Sequence, residues 1–105
     1  MDNKLLDVLK EFISDLSGID GNEIFENNSL EGDLGIYGDD AVELILAFGK
    51  KFSVDVSKFR ASEYFSSEGG FKIGSYKNVN LKELKVFDLI KAVEIGRLDD
   101  SMLQK

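Results

Sequence analysis

The apolar run Leu44–Phe48 constrains the fold of this chain more than any other feature of its sequence. Five apolar residues in a row cover nearly the whole circumference of a helix, so that helix must be surrounded by other elements. We therefore predict a central helix from Val42 to Phe52. Asp40 is placed to cap its start, and Glu43, three residues later, completes the pattern of a capping box. The run is far shorter than the roughly 20 apolar residues that cross a bilayer, so no membrane helix is expected.

Three further segments carry helical signals, so the expected class is mainly α. An amphipathic helix is predicted over 3–16, where apolar residues recur at helical spacing. One or two helical turns are predicted over 57–65. A last helix is predicted over 86–95, with Gly96 as its C-cap. The tail 99–105 is expected to fray, and nothing divides residues 1–105 into two domains.

Two connections are expected to be irregular. Glycines recur from Gly18 to Gly38, which predicts a long ordered loop whose apolar residues plug into the core. The stretch 66–80 is rich in Gly and Ser, and residues 71–78 fit a small β-hairpin with glycine at the first turn position. Lys72 and Lys77 would face each other in that hairpin and weaken it, so an irregular loop fits equally well.

The charge balance excludes several classes of partner. Twenty acidic residues against thirteen basic ones give a formal net charge of −7. Such a chain repels nucleic-acid phosphates and anionic lipid heads, so we expect neither nucleic acid nor membrane as a partner. A protein with a basic surface is the expected charged partner. With no cysteine, nothing points to an oxidising compartment, and a cytoplasmic monomer is the expectation.

The sequence offers little for catalysis. It contains neither His nor Cys, the most common general base and the thiol nucleophile, so no enzyme activity is expected. The acids Asp33, Asp39, Asp40 and Glu43 lack the alternating spacing of a calcium loop, and we interpret them as capping acids rather than metal ligands. The aromatic residues are interpreted as core packing rather than a ligand pocket. They are Phe12, Phe25, Phe48, Phe52, Phe59, Tyr64, Phe65 and Phe87.

Two short motifs resemble the signature of acyl carrier proteins. Asp33-Leu34-Gly35 is followed by Val42-Glu43-Leu44 at the spacing found in that family. The resemblance implies a four-helix bundle with a long first loop, into which residues 66–80 are inserted before the last helix. The family's phosphopantetheine-bearing serine falls on Gly38, which has no hydroxyl to form the phosphodiester. The resemblance therefore implies a carrier fold without the cofactor.

Other parts of the chain more closely resemble a small bacterial family of acyl-carrier-like proteins of unknown function. The segments that carry this resemblance are 38–44, 63–65 and 88–98. By comparison with carriers, the acids Asp39, Asp40 and Glu43 match the surface that partner proteins dock on. We expect a non-catalytic interaction domain with no cofactor.

An alternative hypothesis is a functional carrier that is modified at another serine, such as Ser29 or Ser57. The sequence Asn28-Ser29-Leu30 superficially looks like an attachment motif. However, Ser29 is followed by more loop rather than by a helix, which favours a structural role.

Overall fold

A computed structural model describes residues 3–65 and 82–103, and these residues form a mainly α structure as predicted. Its α-helices are α1 (Asn3–Ser17), α2 (Gly38–Phe52), α3 (Val86–Ile95) and α4 (Asp100–Leu103). Two 3₁₀ turns, Gly21–Glu23 and Ala61–Glu63, lie in the connections. Within the described ranges β pairing is limited to two isolated bridges. The predicted hairpin and the rest of 66–80 fall outside the described residues.

Helix α1 follows the predicted amphipathic pattern. Leu9, Phe12 and Ile13 are buried and lie on one side of the helix. At its end the Ser17 hydroxyl donates a hydrogen bond to the carbonyl of Ile13 at 2.6 Å. The predicted end at Leu16 is therefore one residue short, because the serine side chain satisfies a carbonyl of the last turn.

Helix α2 begins two residues before the predicted cap. Its N-cap residue is Tyr37, whose side chain makes no capping hydrogen bond, so the predicted capping box of Asp40 and Glu43 is wrong. Both acids lie on the helix itself. Asp39 and Asp40 occupy the first turn, where the positive end of the helix dipole favours negative charge.

Only one side of α2 is buried, which corrects the prediction of a fully surrounded helix. The buried residues are Ala41, Leu44, Ile45 and Phe48. Phe48 is fully buried, and its ring centroid lies 6.4 Å from that of Phe12 and 5.3 Å from that of Phe52. These rings pack α1 against α2. Val42 and Leu46 point away from this contact, and 59% of the Leu46 surface is exposed.

The connection between α1 and α2 is held by the segment that precedes α3. Leu30 N–H donates to Leu84 O at 2.9 Å, and Val86 N–H donates to Asn28 O at 3.0 Å. This antiparallel contact carries Leu30 into the core, and Ile24 and Ile36 are buried with it as predicted. The pairing is too short to count as a sheet.

Two aromatic residues that were assigned to the core are exposed. Phe25 has 57% of its surface exposed and Phe87 has 43%. The Phe87 N–H donates to the carbonyl of Glu26, which holds this backbone at the surface beside the loop. Single aromatic residues at the surface are common because there is too little polar area to cover a small domain.

Helix α3 has the predicted bounds and the predicted glycine stop. The Asp88 carboxylate accepts the Lys85 N–H at 2.9 Å and so caps the start. Gly96 follows in the left-handed conformation, with φ at 98°, and its N–H donates to Ala92 O. This conformation is strained for residues with a side chain, which explains the glycine.

The predicted third helix and the predicted frayed tail both differ from the structure. The segment 57–65 contains a single 3₁₀ turn at Ala61–Glu63 rather than α-helix. The chain after α3 turns into α4, which buries Met102 and Leu103. A backbone pairing supports it, because Asp55 accepts the N–H of Leu98 and donates its own N–H to Gly96 O. The tail is thus ordered through Leu103.

A polar network fixes α4 to the preceding segments. The Tyr64 hydroxyl donates to Asp100 Oδ1 at 2.6 Å, and Lys82 Nζ donates to the same oxygen at 2.9 Å. Lys82 also reaches Glu63 Oε1 at 3.1 Å. Hydrogen bonds from Tyr64 and Lys82 hold the pKa of Asp100 below its ordinary value of 3.8. Lys82 and Arg60 lower the pKa of Glu63 in the same way.

The lowered pKa of Asp100 predicts a loss of stability in acid. The unfolded chain binds this proton at the ordinary pKa of 3.8, whereas the folded chain binds it at lower pH. The stabilising contribution is therefore complete above the unfolded value and is lost as pH falls through the folded one. We expect Asp100→Asn to make the unfolding free energy depend less on pH below about pH 5, measured by urea unfolding. The matched control Asp15→Asn, at an exposed position of α1, should leave the dependence as it is in the parent. Parallel curves for Asp100→Asn and the parent would contradict the prediction.

Candidate functional site

The exposed side of α2 combines acidic and apolar side chains. We call it the α2 face and define it as Asp39, Asp40, Val42, Glu43 and Leu46, all of which are exposed. Residues three or four apart are neighbours on a helix, so Asp39, Glu43 and Leu46 follow one another along the outward side. Phe48, on the opposite side of the helix, is buried in the core. The face is therefore presented on a rigid element rather than on a loop.

The α2 face keeps the predicted acids together and adds residues that the sequence interpretation missed. Asp39, Asp40 and Glu43 were predicted to form a partner surface, and all three lie at or near the start of one helix. Leu46 belongs to the run that was predicted to be surrounded, and Val42 was not assigned to a surface. On a helical wheel, positions 42 and 46 lie outside the side formed by the buried residues. Those residues are Ala41, Leu44, Ile45 and Phe48.

The α2 face combines negative charge with apolar area. Carboxylates in the first turns give negative charge, and Val42 and Leu46 give apolar area that a partner could cover. Asp40 and Glu43 lie in solvent. A surface that is basic and partly apolar would complement this arrangement.

Gly38, at the start of α2, adopts a backbone conformation that favours glycine. Its φ is 63°, in the left-handed region. A side chain there crowds the following carbonyl, at a cost of about 1–2 kcal/mol. The residue that resemblance aligns with a carrier's serine is thus constrained by its backbone as well as lacking a hydroxyl. The conformation lets the chain turn from the extended Tyr37 directly into the helix.

Ser29, one of the two alternative attachment serines, is buried. Only 3% of its surface is exposed. Its N–H donates to Asp33 Oδ2 at 2.9 Å, and its Oγ accepts the Asp33 N–H at 3.1 Å. These reciprocal bonds close a turn of the loop and occupy the hydroxyl. A modifying enzyme would have to open this turn before reaching the oxygen.

Ser57, the other alternative, is exposed in the turn that follows α2. Its hydroxyl donates to Asp55 Oδ1 at 2.7 Å, and its N–H donates to the same oxygen at 2.9 Å. Asp55 and Ser57 therefore form a local turn of the kind that aspartate commonly makes with the residue two positions later. The hydroxyl is reachable, but it does not stand at the start of a helix.

The acids considered as metal ligands are divided by the fold. Asp33 is engaged by the Ser29 N–H within the loop, whereas Asp39, Asp40 and Glu43 belong to α2. Over the ranges 3–65 and 82–103, no group of three or more acidic side chains is arranged to hold a metal ion. Over the same ranges no helix is both long enough and apolar enough to cross a membrane.

A family model matches most of this sequence. The model for a protein of unknown function, DUF1493, matches residues 1–99. The chain belongs to the DUF1493 family. The matched region contains α1, α2 and α3 and ends just before α4, so the α2 face and Gly38 both lie within the part typical of DUF1493. The DUF1493 match carries no link to acyl carrier proteins, and no solved structure matches the chain.

Restoring a serine at the start of α2 should destabilise this DUF1493 protein. Gly38→Ser places a side chain at a φ of 63°, so we expect the free energy of unfolding to fall by about 1–2 kcal/mol in urea unfolding. Gly21→Ser is the matched control, because a Cβ at Gly21 meets nothing within 4 Å and its φ is not positive. Equal stabilities for the two variants would show that Gly38 is not held in the left-handed conformation.

Proposed function

We propose that this DUF1493 protein is a non-catalytic protein-interaction domain that docks a basic partner surface on the α2 face. Its order of helices would be that of an acyl carrier protein, without phosphopantetheine. One observation carries the proposal. The helix that supplies the centre of the core also exposes Val42 and Leu46 among three carboxylates.

The apolar part of the α2 face would supply affinity. Complete burial of an exposed leucine side chain contributes about 1.5–3 kcal/mol. Leu46 has more than half of its surface in solvent, so a partner that covers it would recover much of that amount. Val42 lies one turn earlier and extends the same patch. A rigid helix loses little further entropy when it binds, which favours this site over a loop.

The acidic part of the α2 face would set the partner's charge. Asp40 and Glu43 are exposed near the positive end of α2, and the whole chain carries a net charge of −7. Negative potential on the face and on the molecule would attract a basic surface and raise the association rate. Exposed ion pairs each contribute only about 0–1 kcal/mol. The charges would therefore affect which partner is recognised more than how tightly it binds.

Attachment of phosphopantetheine is disfavoured at the two positions whose surrounding sequence resembles the attachment site of a carrier protein. Gly38 has no hydroxyl, and the Ser29 hydroxyl is buried in reciprocal hydrogen bonds with Asp33. The complete absence of His and Cys leaves no thiol for a thioester and no imidazole base. These features favour an unmodified binding domain over a carrier or an enzyme.

The unmodified state predicts that mass spectrometry finds no phosphopantetheine mass added to any serine of this sequence. We expect this result both for protein from its native cell and after incubation with coenzyme A and a phosphopantetheinyl transferase. An added phosphopantetheine arm would contradict the proposal. Ser57→Ala and Ser29→Ala variants would then locate the modified hydroxyl, with Ser57 the first to test because it is exposed.

Docking on the α2 face is tested with a synthetic amphipathic, lysine-rich helical peptide and the full chain labelled with ¹⁵N. We expect amide shift changes centred on residues 38–47. Leu46→Ala should weaken binding about tenfold, because it removes apolar contact. Glu43→Gln should weaken it up to about fivefold at low salt and less at high salt.

The matched controls for this experiment lie on α3, where Glu94 and Ile95 are also exposed. Glu94→Gln and Ile95→Ala make the same chemical changes outside the α2 face, and we expect the parent's affinity from both. Shift changes away from α2, or equal losses for the α2 and α3 variants, would overturn the proposed docking site.

A further inference from the structure

The exposed side of α2 continues beyond the α2 face and changes its charge along the helix. Carboxylates occupy the first half, whereas Lys50, in the last turn, is exposed and basic. The helix dipole favours this order of charges. It gives no reason for Val42 and Leu46, between the two ends, to be exposed. Apolar area with charged groups at its edges is the usual anatomy of a surface that another protein covers.

Five of these side chains lie on one side of the helix. At about 100° per residue, Asp39, Val42 and Lys50 lie within about 40° of Leu46 around the helix axis, and Glu43 lies about 60° from it. We call these five residues the α2 stripe. The Lys50 side chain forms no salt bridge with another described residue. The α2 stripe is therefore acidic at one end, apolar in the middle and basic at the other end.

The α2 stripe complements a second copy of itself that runs in the opposite direction. When Leu46 of each copy lies at the centre, Glu43 is about 4.5 Å before the centre along the helix axis and Lys50 is about 6 Å after it. The second copy reverses these positions, so its Lys50 comes level with Glu43 to within about 1.5 Å along the axis. A two-fold axis through the centre makes the same contact at both ends.

The same arrangement keeps like charges apart. Along the axis the two Glu43 residues are separated by about 9 Å and the two Asp39 residues by about 21 Å. Lys50 of the second copy lies between these two acidic positions. A parallel arrangement would instead place acid beside acid and lysine beside lysine, so the order of charges favours the antiparallel one.

We infer that a second copy of this chain covers the α2 stripe in an antiparallel contact centred on Leu46, which rests on the proposed use of the α2 face as a docking surface. Val42 and Leu46 of both copies form its apolar centre. Glu43 and Lys50 form charged pairs at its two ends. A second copy on this surface excludes the basic partner, so self-association regulates docking by competition.

The dimer should be weak and reversible. One helix of 15 residues from each copy takes part, whereas a standard interface uses about 20–30 residues a side. Two chains that each carry a net charge of −7 also repel each other. At physiological ionic strength the Debye length is about 8 Å, so distant charges are largely screened while adjacent pairs are screened less. A contact of this strength can be displaced by a partner that binds more tightly.

The test is sedimentation velocity of the full chain between about 5 and about 500 µM, a range that covers weak dimers, at about 150 mM sodium chloride. We expect the sedimentation coefficient of the parent to rise with concentration from the monomer toward the dimer. Glu43→Lys and Lys50→Glu should each weaken dimerisation about tenfold or more, because each variant places like charges opposite each other at both ends.

An equimolar mixture of these two variants tests the antiparallel register. The introduced lysine of one variant then faces the introduced glutamate of the other, and the unchanged Glu43 and Lys50 face each other at the second end. We expect the mixture to associate with an affinity within about threefold of the parent's. The matched controls are Glu94→Lys and Lys91→Glu, at exposed positions of α3. They change the net charge equally, and each should dimerise as the parent does.

Several results would overturn the inference. They are a parent that stays monomeric over the whole range, equal affinities for the parent and both α2 variants, equal losses for the α2 and α3 variants, and a mixture no stronger than its components. Circular dichroism on each variant ensures that a lost dimer is not a lost fold. A monomeric parent that still binds the lysine-rich peptide refutes self-association alone. A parent that dimerises but does not bind this peptide when diluted to the monomer refutes the basic partner alone.

Discussion

The rest of the structure depends on a short antiparallel contact between the first loop and the segment before α3. Two backbone hydrogen bonds, Leu30 N–H to Leu84 O and Val86 N–H to Asn28 O, fix twenty residues of connection against the start of α3. A third, from Ile36 N–H to Leu30 O, directs the chain toward α2. Because a buried backbone group must be paired, these bonds permit Leu30 to lie in the core. They also determine where α2 starts, and with it the position of its acids.

The first turn of α2 shows how the conformation of one residue bears on the proposed function. A left-handed Gly38 allows an extended Tyr37 to lead straight into the helix, and it places Asp39 and Asp40 in the first turn. A serine at this position would provide the oxygen that a carrier needs, but the same conformation disfavours it. The local backbone and the missing hydroxyl therefore favour the same proposal, a binding domain without an attached group.

The α2 face differs in charge from the groove that lies between the turn after α2 and residues 97–101. On the α2 face the carboxylates are exposed and stand beside apolar area, which suits a basic protein surface. In the groove four carboxylates face four basic groups and also accept hydrogen bonds from Ser57, Ser101 and Tyr64. Negative charge is therefore exposed on the α2 face, whereas the formal charges of the groove balance.

The sequence by itself determined the elements that depend on local signals. The amphipathic spacing of Leu9, Phe12 and Ile13 predicted α1, and the helical spacing of the apolar residues from Val86 to Val93, with Gly96 as the stop, predicted both ends of α3. These signals act within a few residues, so they need no knowledge of distant contacts. The mainly α class followed from them, and so did the placement of Asp39, Asp40 and Glu43 together near the start of α2.

Tertiary structure alone decided which apolar residues lie inside and how the ends of the chain meet. Phe25, Leu46 and Phe87 have core-like chemistry, yet they are exposed because neighbouring segments cover other sides of the molecule. Residues 99–103 carry a weak helical signal, but pairing with Asp55 and the bond from Tyr64 to Asp100 order them. The groove joins groups from positions 55 to 101. No local pattern encodes such contacts, because their geometry exists only after the separate segments have packed.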